Sequence, residues 1–203
     1  MVSATEIVEM QDRLNAAWHG VSTSVDCAER NDWLTLVARQ HRANLELWHI
    51  EDEARVPGAT DAELAGVKRR VDATNQRRND LAEQLDRAML GWLEAQGLPN
   101  PEGELHSESP GLMVDRLSIL SLKIYHSREE AERQDAPIGH EERNRQRLAI
   151  LNEQREDLRD CLDRLWFETL NGTRRFKLYR QLKMYNDPSL NPAVYRKLVE
   201  ERG

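Results

Sequence analysis

The feature that most constrains this chain is an internal repeat. Residues 37–87 laid over 114–164 without gaps, an offset of 77, give 15 identities in 51 pairs. This composition gives roughly four by chance. The identities include Val37/Val114, Arg39/Arg116, His49/His126, Glu53/Glu130, Asn75/Asn152, Arg78/Arg155, Asp80/Asp157, Leu85/Leu162 and Asp86/Asp163. Shared heptads raise such a score, but they do not account for matched rare residues such as His49/His126 and Asn75/Asn152.

Each copy reads as a helical hairpin. In the first, a helix starts near Asp32 and runs to about Arg55, where Val56-Pro57-Gly58 breaks it. Thr60-Asp61-Ala62-Glu63 is a capping box that opens a long helix ending near Gly97. In the second, Ser109-Pro110 places proline in a first turn, and that helix runs to about Arg133. A turn at Asp135–Gly139 leads to another helix, which stops near Asn171-Gly172. Ahead of the repeat, Ile7, Met10, Leu14 and Trp18 form one stripe of a helix over about residues 3–18. After it, a short basic-aromatic helix, a turn at Asn186-Asp187-Pro188 and a last helix from about Pro192 form a tail.

The expected fold is therefore all-α. It is an up-down-up-down four-helix bundle made of a duplicated hairpin, with an extra N-terminal helix and a short helical C-terminal tail. One helical domain covers 1–203: hairpin one at about 32–97, a linker at 98–109, hairpin two at about 110–171 and the tail at 172–203. A pseudo-two-fold along the bundle axis would set equivalent residues at one depth, facing each other.

Charged residues make up 32% of the chain, and 10 Gly with 7 Pro are too few for a turn-rich β fold. The net charge of -7 argues against nucleic acid as a partner, because phosphate binding needs a concentrated basic surface. Cys27 and Cys161 form no metal or redox spacing. No basic-then-apolar leader opens the chain, and no run approaches the ~20 apolar residues of a transmembrane segment. The reading is cytoplasmic, and a homodimer is compatible with it.

Positions 64, 67, 71, 74, 78, 81, 85, 88 and 92 form a core seam, and Arg78 falls on it. Leu148, Leu151, Leu158, Leu162 and Leu165 place Arg155 in the same way. A guanidinium on a seam requires a carboxylate or a bound anion. Counting back from the turns puts Asp115 beside Arg155 and uncharged Ala38 opposite Arg78. With Arg39 and Arg116 nearby, this predicts a pocket for a small anionic ligand, in which Asn75 and Asn152 orient the phosphate or carboxylate. The competing reading is a salt-bridge network that sets helix register.

His49 with Glu53, and His126 with Glu130, each lie one turn apart on a helix face. Two such pairs meeting across a bundle would form a divalent metal site and make the chain a metal-dependent enzyme of hydrolase or di-metal type. Against this, the Glu-x-x-His and His-Glu-x-x-His spacings are absent. The acidic run Glu51-Asp52-Glu53 is similar to the carboxylate helices of all-helical nucleotide pyrophosphohydrolases, and more often such a run is a solvated face. Arg174, Phe176, Tyr179, Arg180, Lys183 and Tyr185 interleave basic and aromatic residues, a pattern that binds nucleic acid or acidic lipid or, as the net negative charge favours here, docks its aromatics on the bundle. No Gly-rich phosphate loop or nucleophile elbow is present, so the residues assign no reaction.

Several stretches resemble an uncharacterised bacterial family, domain of unknown function 4254. They are Trp48-His49-x-Glu51-Asp52, Asn75-Gln76-x-Arg78-Asn79-Asp80, Ser107 to Gly111, Asp115 to Leu120, Lys123-Ile124-Tyr125-His126 and Lys183 to Pro188. The resemblance spans about residues 40–192. It implies a helical bacterial protein, in a family with some members encoded beside glycosyltransferase or surface-polysaccharide genes, and it carries no catalytic residues. Three readings follow: a binder of a phosphorylated or nucleotide sugar, a metal-dependent enzyme, and a non-catalytic interaction partner.

Overall fold

The computed structural model describes residues 3–19, 32–182, 189–192 and 196. Cys27, Lys183, Tyr185, the expected turn at 186–188 and most of the expected last helix lie outside the described residues. Among those described are five helices: α1 (Ala4–His19), α2 (Asp32–Glu53), α3 (Asp61–Glu94), α4 (Pro110–Glu132) and α5 (His140–Leu170). Two short strands, β1 (Glu104–Leu105) and β2 (Arg174–Arg175), pair in parallel. No helix among them is long and apolar enough to cross a membrane.

The helix ends follow local chemistry. Thr60 accepts from the Glu63 amide at 3.3 Å, and the Glu63 carboxylate accepts from the Thr60 amide at 2.7 Å, completing the capping box. Ser3 and Glu6 make the same reciprocal pair before α1. Ser109, before α4, makes no cap with its own side chain. The acceptor comes instead from α3, where Asp86 takes the Gly111 amide at 2.6 Å and the Ser109 hydroxyl. In parallel, Asp163 on α5 accepts from the Ala4 amide at the start of α1, at 2.9 Å.

Packing is centred on α4, which touches each of the other four helices, while α1 lies against α2, α4 and α5. The four-helix expectation leaves α1 outside. In the structure Ile7, Met10 and Leu14 join Val37, Leu85, Met113, Leu117, Leu158 and Leu165 in one buried cluster. Gln11 and Asn15 of α1 are fully buried too, so this helix carries polar groups into the interior.

The tail departs from expectation. Arg174 begins a strand rather than a helix, since Gly172, at a φ of 73°, turns the chain out of α5. The linker then offers open backbone groups, and the Glu104 and His106 amides donate to the Thr173 and Arg175 carbonyls at 3.0 and 2.8 Å. Phe176 follows into the core at 2% exposure.

Asp86 gives the fold a pH dependence. Burial pushes its carboxyl from 3.8 up to about 6, against the opposing hydrogen bonds from Ser109 and Gly111. Across that window the native state keeps a proton that the unfolded chain has released. The contribution is therefore lost as pH rises from about 4 to 6, by about 2–3 kcal/mol. Asp86→Asn, which never ionises, is expected to remove this slope. Urea denaturation of both proteins at pH 4.5 and 7 checks it, and an unchanged slope would refute it.

Candidate functional site

A polar chain runs through the contact of α1, α2 and α4. Gln40, His41 and Asn44 lie on the inner face of α2, one turn of Asp115 and Ser118 on α4, and Asn15 on α1; all six are buried. The Asn15 side-chain Oδ1 only accepts, so His41 Nε2 donates to it at 2.9 Å. His41 Nδ1 then accepts from the Ser118 hydroxyl at 2.7 Å. Ser118 accepts in turn from Asn44, at 2.9 Å, and Asn44 also donates to Asp115 at 3.0 Å. Gln40 is a further donor to Asp115. Burial drives the His41 pKa from 6.5 down to about 3, so the ring is neutral in this network.

The far end of this chain is Arg78 on α3, with its Nε 3.5 Å from Asp115. Burial raises the Asp115 carboxyl, opposed by Arg78, Asn44 and Gln40. The Arg78 Nε is buried and has no hydrogen-bond partner among the described residues. Arg78 and Asn44 also line a cavity of about 470 Å³ between α2, α3 and α4. Leu47, Ile119 and Leu122 make it apolar, and Trp48, Glu51, Asp52 and Arg55 add an aromatic face and charges of both signs.

The structure separates the two seam arginines. Arg155 does not meet Asp115; its Nη1 takes both oxygens of Asp12 on α1 at 2.9 Å, and its Nη2 reaches Asn152 at 3.4 Å. Asp115 belongs to Arg78. Counting back from a turn sees only the partner within a hairpin, whereas Arg78 reaches forward to α4 and Arg155 back to α1. Asn152 donates to the Leu148 carbonyl of its own helix. Arg39 is exposed, Asn75 is half-buried, and Arg116 pairs with Glu108 at 2.9 Å beside a different groove. Of the anion set, Arg78 meets Asp115 and Arg155 meets Asn152, and only Arg78 lines the cavity.

Residues 34–178 match the family described as "Protein of unknown function (DUF4254)". The chain belongs to that family. No curated protein and no solved structure matches it. The matched span of this DUF4254 chain holds Arg78, Asp115, His41 and Ser118, whereas α1, which supplies Asp12, Asn15 and His19, lies before it.

The metal set of the DUF4254 chain is divided as well. Glu53 is held by Arg70, with Nη1 at 3.0 Å, and Glu130 by Arg133 and by His140 at 2.8 Å. Among the described residues no group of three His, Cys, Asp or Glu is arranged to hold a metal ion. His49 and His126 nonetheless converge on one point, the ring of His19, whose centroid is 5.4 and 4.9 Å from theirs. Sequence reasoning passed over His19 because α1 is outside the repeat. It passed over His41 because the equivalent position holds Ser118, and a search for identities skips such a pair.

Proposed function

We propose that this chain binds a small phosphorylated, hydroxyl-bearing molecule, of the sugar-phosphate or nucleotide-sugar kind, in the α2–α3–α4 cavity. One observation carries the reading: the Arg78 guanidinium borders the cavity with a buried, unbonded Nε and a long ion pair to Asp115. Arg78 is half-buried, Asp115 only loosely engages it, and its guanidinium is a charge-assisted donor for a phosphate oxygen in the cavity it lines. Glu51 and Asp52 are acceptors for hydroxyl groups, and Trp48 offers a flat apolar wall to a sugar ring. The polysaccharide setting implied by the family resemblance, in a bacterial cytoplasm, agrees with such a ligand.

We also read α2–α3 and α4–α5 as copies of one hairpin. Support comes from matched reaches: Arg78 and Asp86 on α3 serve Asp115 and the start of α4. Arg155 and Asp163 on α5 serve Asp12 and the start of α1. On this reading α1 stands to α5 as α4 stands to α3, and the four-helix unit is completed by a fifth helix.

A thermal-shift and calorimetric screen of sugar phosphates and nucleotide sugars tests the cavity. At least one compound is expected to raise Tm, and Arg78→Ala to weaken it tenfold or more, the loss of about 1.5–3 kcal/mol of charge-assisted bonding. Arg78→Lys keeps the charge on the seam and loses the fork, so it separates binding from folding. No stabilising compound, or equal affinity in Arg78→Ala, defeats the reading.

A further inference from the structure

Among the described residues, a further unsatisfied place is the histidine cluster where α1, α2 and α4 meet. The Asn15 carbonyl accepts from His19 Nδ1 at 2.8 Å, so that nitrogen carries the proton. The Glu129 carboxylate accepts from His126 Nδ1 at 2.9 Å, which fixes the same tautomer there. In both rings Nε2 is left as a bare lone pair, and both Nε2 atoms are buried with no hydrogen-bond partner among the described residues. Two buried, unpartnered lone pairs thus lie on rings whose centroids are 4.9 Å apart, and each calls for a cation or a donor.

The geometry points to a metal ion: we propose that His19 and His126 are two fixed imidazole ligands of a borderline transition metal such as Zn2+, with His49 turning in as the third. Imidazoles bonded to one ion at about 2.0–2.1 Å, at a roughly tetrahedral angle, hold their ring centres roughly 5 Å apart. The His19–His126 and His19–His49 centroid distances, 4.9 and 5.4 Å, bracket that spacing. His49 is exposed, and as it stands no three-residue set is complete among the described residues, so on this proposal its ring turns in when the ion binds. The outer contacts fit as well, because a ligating histidine characteristically donates its other N–H to a backbone carbonyl or a carboxylate. Tyr125 stacks on His19 at 4.4 Å and Trp48 on His126 at 4.5 Å, which hold both rings in place. Soft-to-borderline ions are selected over Mg2+ by an all-nitrogen set. The site shares no ligand with the Arg78 cavity, although Trp48 borders both.

A buried water donating to both nitrogens is the plain alternative, and titration separates the two. Chelator-treated full-length protein is expected to bind one Zn2+ per chain by calorimetry and no Mg2+, and Co2+ is expected to give d–d absorption bands. His19→Ala and His126→Ala should weaken Zn2+ binding by a hundredfold or more. Because either change could also disturb packing, Glu129→Gln, at an exposed residue, is the second arm, with a loss of about tenfold expected. Arg78→Ala should bind Zn2+ as the wild type does, so failure of the cavity reading leaves this one standing. Absence of stoichiometric Zn2+ binding, or unchanged affinity in both His19→Ala and Glu129→Gln, would overturn the proposal.

Discussion

Replacing His41 by alanine is expected to cost about 4 kcal/mol of stability. The ring is fully buried and bridges α1 to α4, so its removal opens a cavity and strands the Ser118 hydroxyl and the Asn15 side-chain Oδ1. Each unsatisfied buried group costs about 1–3 kcal/mol, and the cavity adds to that. The same residue sensitises the fold to acid. Its pKa is about 3 when folded against 6.5 normally, so the unfolded chain takes up a proton that the native state refuses. Its contribution is complete above pH 6.5 and is lost as pH falls toward 3, by about 3 kcal/mol at pH 4. His41→Gln preserves one donor and one acceptor without the titration. It should lose less than the alanine variant at pH 7 and show a flatter decline below pH 6 in urea denaturation. A Gln variant as acid-sensitive as the wild type would show that the buried ring is not the source. This slope opposes that of Asp86, so the two are read by difference in the separate variants.

Gly111→Ala should lose about 3 kcal/mol, a large effect for a single methyl. A Cβ there would sit 2.3 Å from the Ala82 carbonyl oxygen and 2.8 Å from the Asp86 carboxylate. Since one obstacle is helix backbone, α4 has to move off α3, and the cap that Asp86 supplies goes with it. Gly91→Ala is the control. It lies within α3 with open space around its Cβ, and it should gain about 0.5–1 kcal/mol from helix propensity. Equal Tm values for the two variants would rule out the close approach as the cause.

Local signals carried far in this chain. Thr60 with Glu63, Pro110 and Gly172 mark helix ends within a few residues, because capping and left-handed turns are decided by neighbours in sequence. The seam position of Arg78 was legible for the same reason, since periodicity along one helix defines its inner face. Partners were not. Asp115 was assigned to Arg155 because within a hairpin the register follows from the turn, whereas contacts between hairpins depend on how whole helices dock. Two-residue strands leave no periodic trace, so β2 read as part of a helix. Gln11 and Asn15 lie off the apolar stripe of α1, and nothing local to them reveals that they would be buried. The sites were thus half visible: the residues of the repeat stood out, and those supplied by α1 did not.

The reach of α1 also orders events in time. Its ties to α5, Ala4 to Asp163 and Asp12 to Arg155, span 159 and 143 residues. At roughly 5–20 residues per second, a ribosome needs on the order of 10–30 s between making these partners. Until α4 and then α5 are made, Ile7, Met10 and Leu14 lack the helices that cover them. Closing loops of this length is slow in any case. The first helix made is thus among the last to be secured, and the nascent chain carries a greasy, helix-prone segment that chaperones have time to hold.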